Sequence, residues 1–119
     1  MAEFKMGAAE SRFAELIWMH EPVPSGQLAK LAEGELRWKK TTSFTVLKRL
    51  CDRGLFQNQS GTVISLISRE EFYARNSEAY VTDTFGGSLP AFLAAFGTRK
   101  KLSDQEIEEL KALIESMRG

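Results

Sequence analysis

At 119 residues the chain is long enough for one compact domain, or for a small core with an oligomerising appendage. A composition of 43% hydrophobic and 27% charged residues excludes an intrinsically disordered chain or a fibrous repeat, and no apolar run nears the roughly 18 residues needed to span a bilayer. With 16 basic residues against 16 acidic ones the net charge is zero, which excludes a uniformly basic polyanion binder and turns attention to how the charge is distributed.

Met1-Ala2-Glu3-Phe4-Lys5-Met6 lacks the apolar core of a secretory leader, and the lone Cys51 can form no intramolecular disulfide, so a cytoplasmic protein is expected. From Met6 to His20 the positions Met6, Ala9, Phe13, Leu16, Ile17 and His20 recur at three- and four-residue steps, which predicts an amphipathic helix stopped by Pro22 and Pro24. Ser25 is placed to cap a short second helix that buries Leu28, Leu31 and Ala32 and ends at Gly34. Thr41 or Thr42 is placed to cap a third helix, with Val46, Leu47, Leu50 and Cys51 inward and Gly54 as its left-handed stop. Leu55-Phe56 and Thr62-Val63-Ile64-Ser65-Leu66-Ile67 then flank the polar connection Gln57-Asn58-Gln59-Ser60-Gly61 as a β-hairpin.

Beyond the hairpin, Arg69 to Phe85 predicts a helix carrying Phe72, Tyr73, Tyr80 and Val81, broken at Gly86-Gly87. Ser88 restarts a short helix through Phe92 and Phe96, with Pro90 in its first turn and Gly97 at its end. Ser103 and Glu106 form a capping box, with Leu102 and Ile107 as its apolar staple, ahead of the stripe Ile107, Leu110, Ile114 and Met117. The predicted class is therefore mostly α with a small β-hairpin: a winged helix-turn-helix over residues 1–68, then a helical dimerisation region over 69–119.

Charge is uneven along these elements. Arg37, Lys39, Lys40, Lys48, Arg49 and Arg53 stand against Asp52 alone around the third helix, whereas Ser103 to Glu115 is acidic. In a helix-turn-helix the second helix of the pair enters the major groove, short polar residues near its start reach base edges, and cations touch phosphates. Lys39, Lys40, Thr41, Thr42, Ser43, Thr45, Lys48 and Arg49 match that requirement and are the DNA-binding candidates; a solvated helix face is the plainer alternative. A chain this short has few elements against which to bury the terminal stripe, so Phe72, Tyr80, Phe92, Phe96, Ile107, Leu110, Ile114 and Met117 are the dimer-interface candidates, with intrachain packing as the alternative.

No catalytic constellation can be named. His20, the lone histidine, suits a packed or helix-terminal position, and one His with one Cys makes no metal site. Ser11, Ser25 and Ser88 have no nucleophile context, and Phe85-Gly86-Gly87-Ser88 is neither a nucleophile elbow nor a phosphate loop. Trp18, Trp38, Phe13, Phe44 and Phe56 are expected in the core rather than stacked on bases. Neither enzyme nor cofactor is expected.

Four segments together resemble the BlaI/MecI/CopY-type repressors, the penicillinase-repressor family. They are Ala9-Glu10 with Leu16-Ile17-Trp18; Trp38-Lys39-Lys40-Thr41-Thr42-Ser43-Phe44-Thr45-Val46-Leu47-Lys48-Arg49-Leu50 with Gly54-Leu55; Phe85-Gly86-Gly87-Ser88; and Leu102-Ser103 through Leu113. The resemblance implies a homodimer whose winged-helix heads bind inverted repeats in double-stranded operator DNA, and whose last three helices dimerise. By matching position it assigns Lys40, Thr41, Thr42, Thr45, Lys48 and Arg49 to the DNA-facing side. Some members are cleaved after a membrane sensor protease detects β-lactams, which makes such a protease a candidate partner. Copper-responsive members carry a cysteine-rich C-terminal motif that this chain lacks. Two further departures are the wing, uncharged where relatives often carry basic residues, and Ala95-Phe96, which has alanine where cleaved members have asparagine. The expected function is a DNA-binding repressor, with a winged-helix protein-interaction module as the rival.

Overall fold

A computed structural model describes residues 6–119, so the leader reading of Met1 to Lys5 lies outside the described residues. The elements follow the order α1 (Ala8–His20), β1 (Val23–Pro24), α2 (Ser25–Leu36), α3 (Lys40–Asp52), β2 (Phe56–Gln59), β3 (Thr62–Ser65), α4 (Arg69–Phe85), α5 (Leu89–Gly97) and α6 (Asp104–Ser116). This is a winged helix followed by helices. Two compact units divide within α4, one ending at Ala79 and the other running from Tyr80 to Gly119.

The first unit is built on an apolar cluster that draws on every helix of the head. Phe13, Ile17, Leu28, Leu47, Leu50, Phe56, Val63 and Phe72 are among its buried members. Phe13 stacks on Trp38 with ring centroids 5.2 Å apart, and Trp18 lies within 5.3 Å of Phe56 and 5.7 Å of Phe72 while its indole Nε1 donates to the Ile67 carbonyl at 3.0 Å. Both tryptophans are thus structural, each with its polar edge or flat face satisfied inside the head.

Antiparallel pairing places the strands in the order β1-β3-β2, with Val23 opposite Val63 and Phe56 opposite Ser65. The two-residue strand β1 has no periodic signal of its own, and sequence reasoning missed it. The hairpin connection is also tighter than expected: Gln57 to Gln59 belong to β2, leaving only Ser60 (φ 53°) and Gly61 (φ 90°) as the turn. Two successive positive φ angles suit the right-handed twist of the flanking strands. The Ser25 amide donates to the Gly61 carbonyl at 2.8 Å, so the tip of the wing is fastened to the start of α2.

Three helix ends differ from expectation. Ser25 is the first residue of α2 rather than its cap: Pro24 stands at the N-cap and no side chain caps the helix. α2 passes through Gly34 and stops at Arg37, whose left-handed φ of 59° lets the amides of Arg37 and Trp38 both reach the Ala32 carbonyl. α3 starts early, at Lys40, with Lys39 as its N-cap and no side-chain cap, so neither Thr41 nor Thr42 caps it; the Thr45 hydroxyl donates back to the Thr41 carbonyl at 2.9 Å. Gly54 is left-handed as expected, with φ 82°.

The second unit keeps the predicted caps. Ser88 accepts from the Ala91 amide, and Ser103 and Glu106 exchange both bonds of the capping box. Tyr80, Phe85, Phe92 and Phe96 form a chain of ring contacts at 5.6–6.3 Å. No residue of α5 or α6 is buried, and Leu113, Ile114 and Met117 are 56%, 51% and 66% exposed. An apolar groove of about 420 Å³ runs between these helices, lined by Phe92, Leu93, Phe96, Leu102 and Leu110 with Glu106 and Glu109 at its rim.

Candidate nucleic-acid interface

α3 is amphipathic in the sense a reading helix requires. Ser43, Val46, Leu47 and Leu50 face the core, which turns Lys40, Thr41, Thr42, Phe44, Thr45, Lys48 and Arg49 outward. Lys39 is exposed immediately before the first turn. Seven of the eight DNA-binding candidates therefore share the exposed side of one element or its cap.

The eighth does not. Ser43 is 2% exposed, and its hydroxyl has no hydrogen-bond partner, so it fills space beneath the helix instead of meeting a base. The reverse holds for Phe44, expected in the core but 36% exposed, with the Lys40 ammonium 5.9 Å from its ring centre. The 3.6-residue period distinguishes the two positions: Ser43, Val46, Leu47 and Leu50 complete the inner stripe, and Phe44 falls outside it. A ring on the outer face supplies an apolar surface of the kind that meets a thymine methyl.

The cations on this surface differ in availability. Lys48 is paired with Asp52 at 3.1 Å on the same helix. Arg49 donates to Glu10 at 3.0 Å, and Arg53 lies 3.8 Å from the same carboxylate. Among the described residues no ion pair engages Lys39 or Lys40, so the N-terminal end of α3 is its cationic end. Cys51 is half-buried on α3; burial pushes its thiol above the ordinary range, only partly offset by the Asn58 amide, and leaves it a poor nucleophile.

α1 is braced from two sides. The Glu15 carboxylate accepts from the Tyr73 hydroxyl at 2.6 Å and from Arg69 Nε at 2.8 Å, and Glu21 accepts from the Ser65 amide and hydroxyl, each at 2.8 Å. These bonds fix α1 to α4 and to β3. His20 closes the last turn of α1 and is half-buried there.

The dimer-interface candidates separate. Phe72 is 1% exposed in the core of the head, so it belongs to the first unit's own packing. Tyr80, Phe92, Phe96, Ile107, Leu110, Ile114 and Met117 all lie in the second unit, half-exposed or exposed. Among the described residues no three His, Cys, Asp or Glu side chains gather as a metal site, and no helix is long and apolar enough to cross a membrane.

Comparison with known proteins gives a consistent picture. The family model described as Penicillinase repressor matches residues 6–116. A methicillin resistance regulatory protein, MecI, of Staphylococcus aureus strain Mu50 is 22% identical over 115 residues, covering 93% of this chain and 94% of its own. MecI of Mammaliicoccus sciuri is 21% identical over the same shares. The penicillinase repressor of Bacillus licheniformis is 25% identical over 111 residues, covering 90% of this chain and 87% of its own.

Proposed function

The chain belongs to the penicillinase repressor family, a family of transcriptional repressors, and from that membership we propose that it acts in the cytoplasm as a homodimer that occupies a near-palindromic promoter operator, each head laying α3 in the major groove. The observation that carries this reading is the outward face of α3: Thr41, Thr42 and Thr45 present short hydroxyls of the kind that approach base edges, and Lys39 and Lys40 flank them with no acidic partner among the described residues. Homodimerisation is supported by the second unit, whose two final helices bury no residue of their own and leave an apolar face of Leu113, Ile114 and Met117. Two-fold symmetry would set the heads about one DNA turn, roughly 34 Å, apart, and so calls for inverted half-sites. A membrane sensor protease is the candidate partner for relief of repression, with Ala95-Phe96, exposed on α5, as the bond to examine.

The test is a gel-shift titration of the protein against its own upstream promoter DNA at two salt concentrations, with excess nonspecific competitor. Retardation that is specific, salt-sensitive and symmetric in footprint is expected. Binding with no preference over competitor would overturn the repressor reading in favour of a winged-helix protein-interaction module.

A further inference from the structure

The hairpin offers this protein little electrostatic help. Its exposed residues Gln57, Asn58, Gln59, Ser60, Gly61 and Thr62 are uncharged, and the Ser25–Gly61 bond holds its tip down against α2. On α3, Lys48 and Arg49 are already paired with Asp52 and Glu10. That leaves Lys39 and Lys40 as the cations of this face without an ion pair among the described residues, and a strong, salt-sensitive grip on an operator calls for further phosphate contacts beside them.

α2 and α3 diverge around an open groove of about 730 Å³ lined by Gly26, Gln27, Ala29, Lys30, Glu33 and Lys40. Lys30 comes from α2 and Lys40 from α3, both are exposed, and neither takes part in an ion pair among the described residues. Two ammonium groups sharing one groove repel each other when it is empty, and a phosphodiester between them converts that repulsion into attraction. Glu33 is the acidic member of the lining and opposes an anion there.

We propose that this groove seats a DNA backbone phosphate, bridged by Lys30 and Lys40 with Gln27 as an uncharged donor beside them. α2 then grips the strand that borders the major groove occupied by α3. The proposal rests on the operator-binding reading and adds Gln27 and Lys30, which lie outside the reading helix, to its contacts.

A phosphate contact releases counterions and carries no base information, so its loss has a distinctive signature. Fluorescence anisotropy of the full-length protein on promoter and scrambled duplexes, across a salt series, reads it directly. Lys30→Ala should weaken both duplexes by the same factor and flatten the slope of log affinity against log salt by about 1. A fourfold rise in salt then costs the variant about 3.5-fold less affinity than wild type. Lys30→Arg should keep the slope, and Glu33→Gln should strengthen binding to both duplexes. Both positions are exposed, and unchanged thermal unfolding will show that the three variants fold. A Lys30→Ala slope equal to wild type, in a protein that still prefers its promoter, overturns the groove assignment and leaves the repressor reading standing. A wild-type protein with no promoter preference overturns the repressor reading itself, and the groove assignment with it.

Discussion

The Arg49 guanidinium lies 3.0 Å from the Glu10 carboxylate, joining the last turn of α3 to the first turn of α1 across 39 positions of sequence. The same carboxylate accepts from the Gly7 amide at 3.2 Å and stands 3.8 Å from Arg53. One side chain thus caps α1 and anchors the C-terminal end of α3. Partial burial works against its ionisation, but the Gly7 amide and the two guanidiniums outweigh that and hold its pKa below the ordinary carboxylate value of 4.5.

That depressed pKa gives stability a defined pH dependence. A carboxyl whose folded pKa is lowered stabilises fully above its unfolded value and loses that contribution as pH falls through the folded one. Glu15 behaves alike: burial opposes ionisation, and the Tyr73 hydroxyl and Arg69 reverse the balance. The thermal stability of the head should therefore fall as pH drops below about 4.5, the ordinary value from which both groups are shifted. Glu10→Gln should cost about 1–2 kcal/mol near neutrality and shrink the acid-side loss. A Glu10→Gln protein with the wild-type acid limb would show that this carboxylate is not the group responsible.

The pairing also ranks the candidate DNA-binding cations. Lys48 and Arg49 must share their charge with Asp52 and Glu10, whereas Lys39 and Lys40 have no such competitor among the described residues. Lys39→Ala with Lys40→Ala should flatten the salt dependence of operator binding by about 2. Lys48→Ala with Arg49→Ala should weaken binding less. Anisotropy titrations at several salt concentrations measure both, and a reversed order would mean that the intramolecular pairs open on DNA.

Much of the fold was legible because its signals are local. The Arg69–Phe85 helix, the Ser88 cap and the Ser103–Glu106 box rest on spacing and capping chemistry contained within a few residues, and the structure has each of them. β1 was not legible, because Val23-Pro24 becomes a strand only by pairing with Thr62-Val63 some 40 residues away. The reading helix was legible as an element but not residue by residue. Hydroxyl chemistry suggested Ser43 for DNA and ring size suggested Phe44 for the core, whereas helical phase buries Ser43 and exposes Phe44. The Glu10–Arg49 pair had no sequence signal at all, since it depends on how α1 crosses α3.

The exposed stripe of the second unit predicts how assembly fails. Ile114 is half-exposed on α6 beside the exposed Leu113 and Met117, so Ile114→Glu places a charge on a face that a dimer would bury without disturbing any buried residue of the chain. Sedimentation at micromolar concentration should shift from dimer to monomer. Operator affinity should fall steeply, because a single head loses the benefit of its tethered neighbour. Unchanged dimer mass would direct the interface elsewhere. Phe72→Ala gives the contrast: it empties a core position and should cost about 3–5 kcal/mol of head stability, with no dissociation of the dimers that remain folded.

Gly34 tests where α2 ends. A glycine three residues before the left-handed Arg37 invites the reading that the helix stops there, yet α2 continues to Leu36 and closes through the Arg37 and Trp38 amides on the Ala32 carbonyl. Gly34 therefore sits inside a helix, where its freedom in the unfolded chain is a cost with no local return. A Cβ built there meets nothing within 4 Å, and its backbone needs no positive φ. Gly34→Ala should raise stability by about 0.5–1 kcal/mol, a gain visible as a few degrees in thermal unfolding. Operator affinity should not change. If glycine were instead the left-handed stop, alanine would be strained at that position and the midpoint would fall, so the sign of one melting shift decides between the two helix ends.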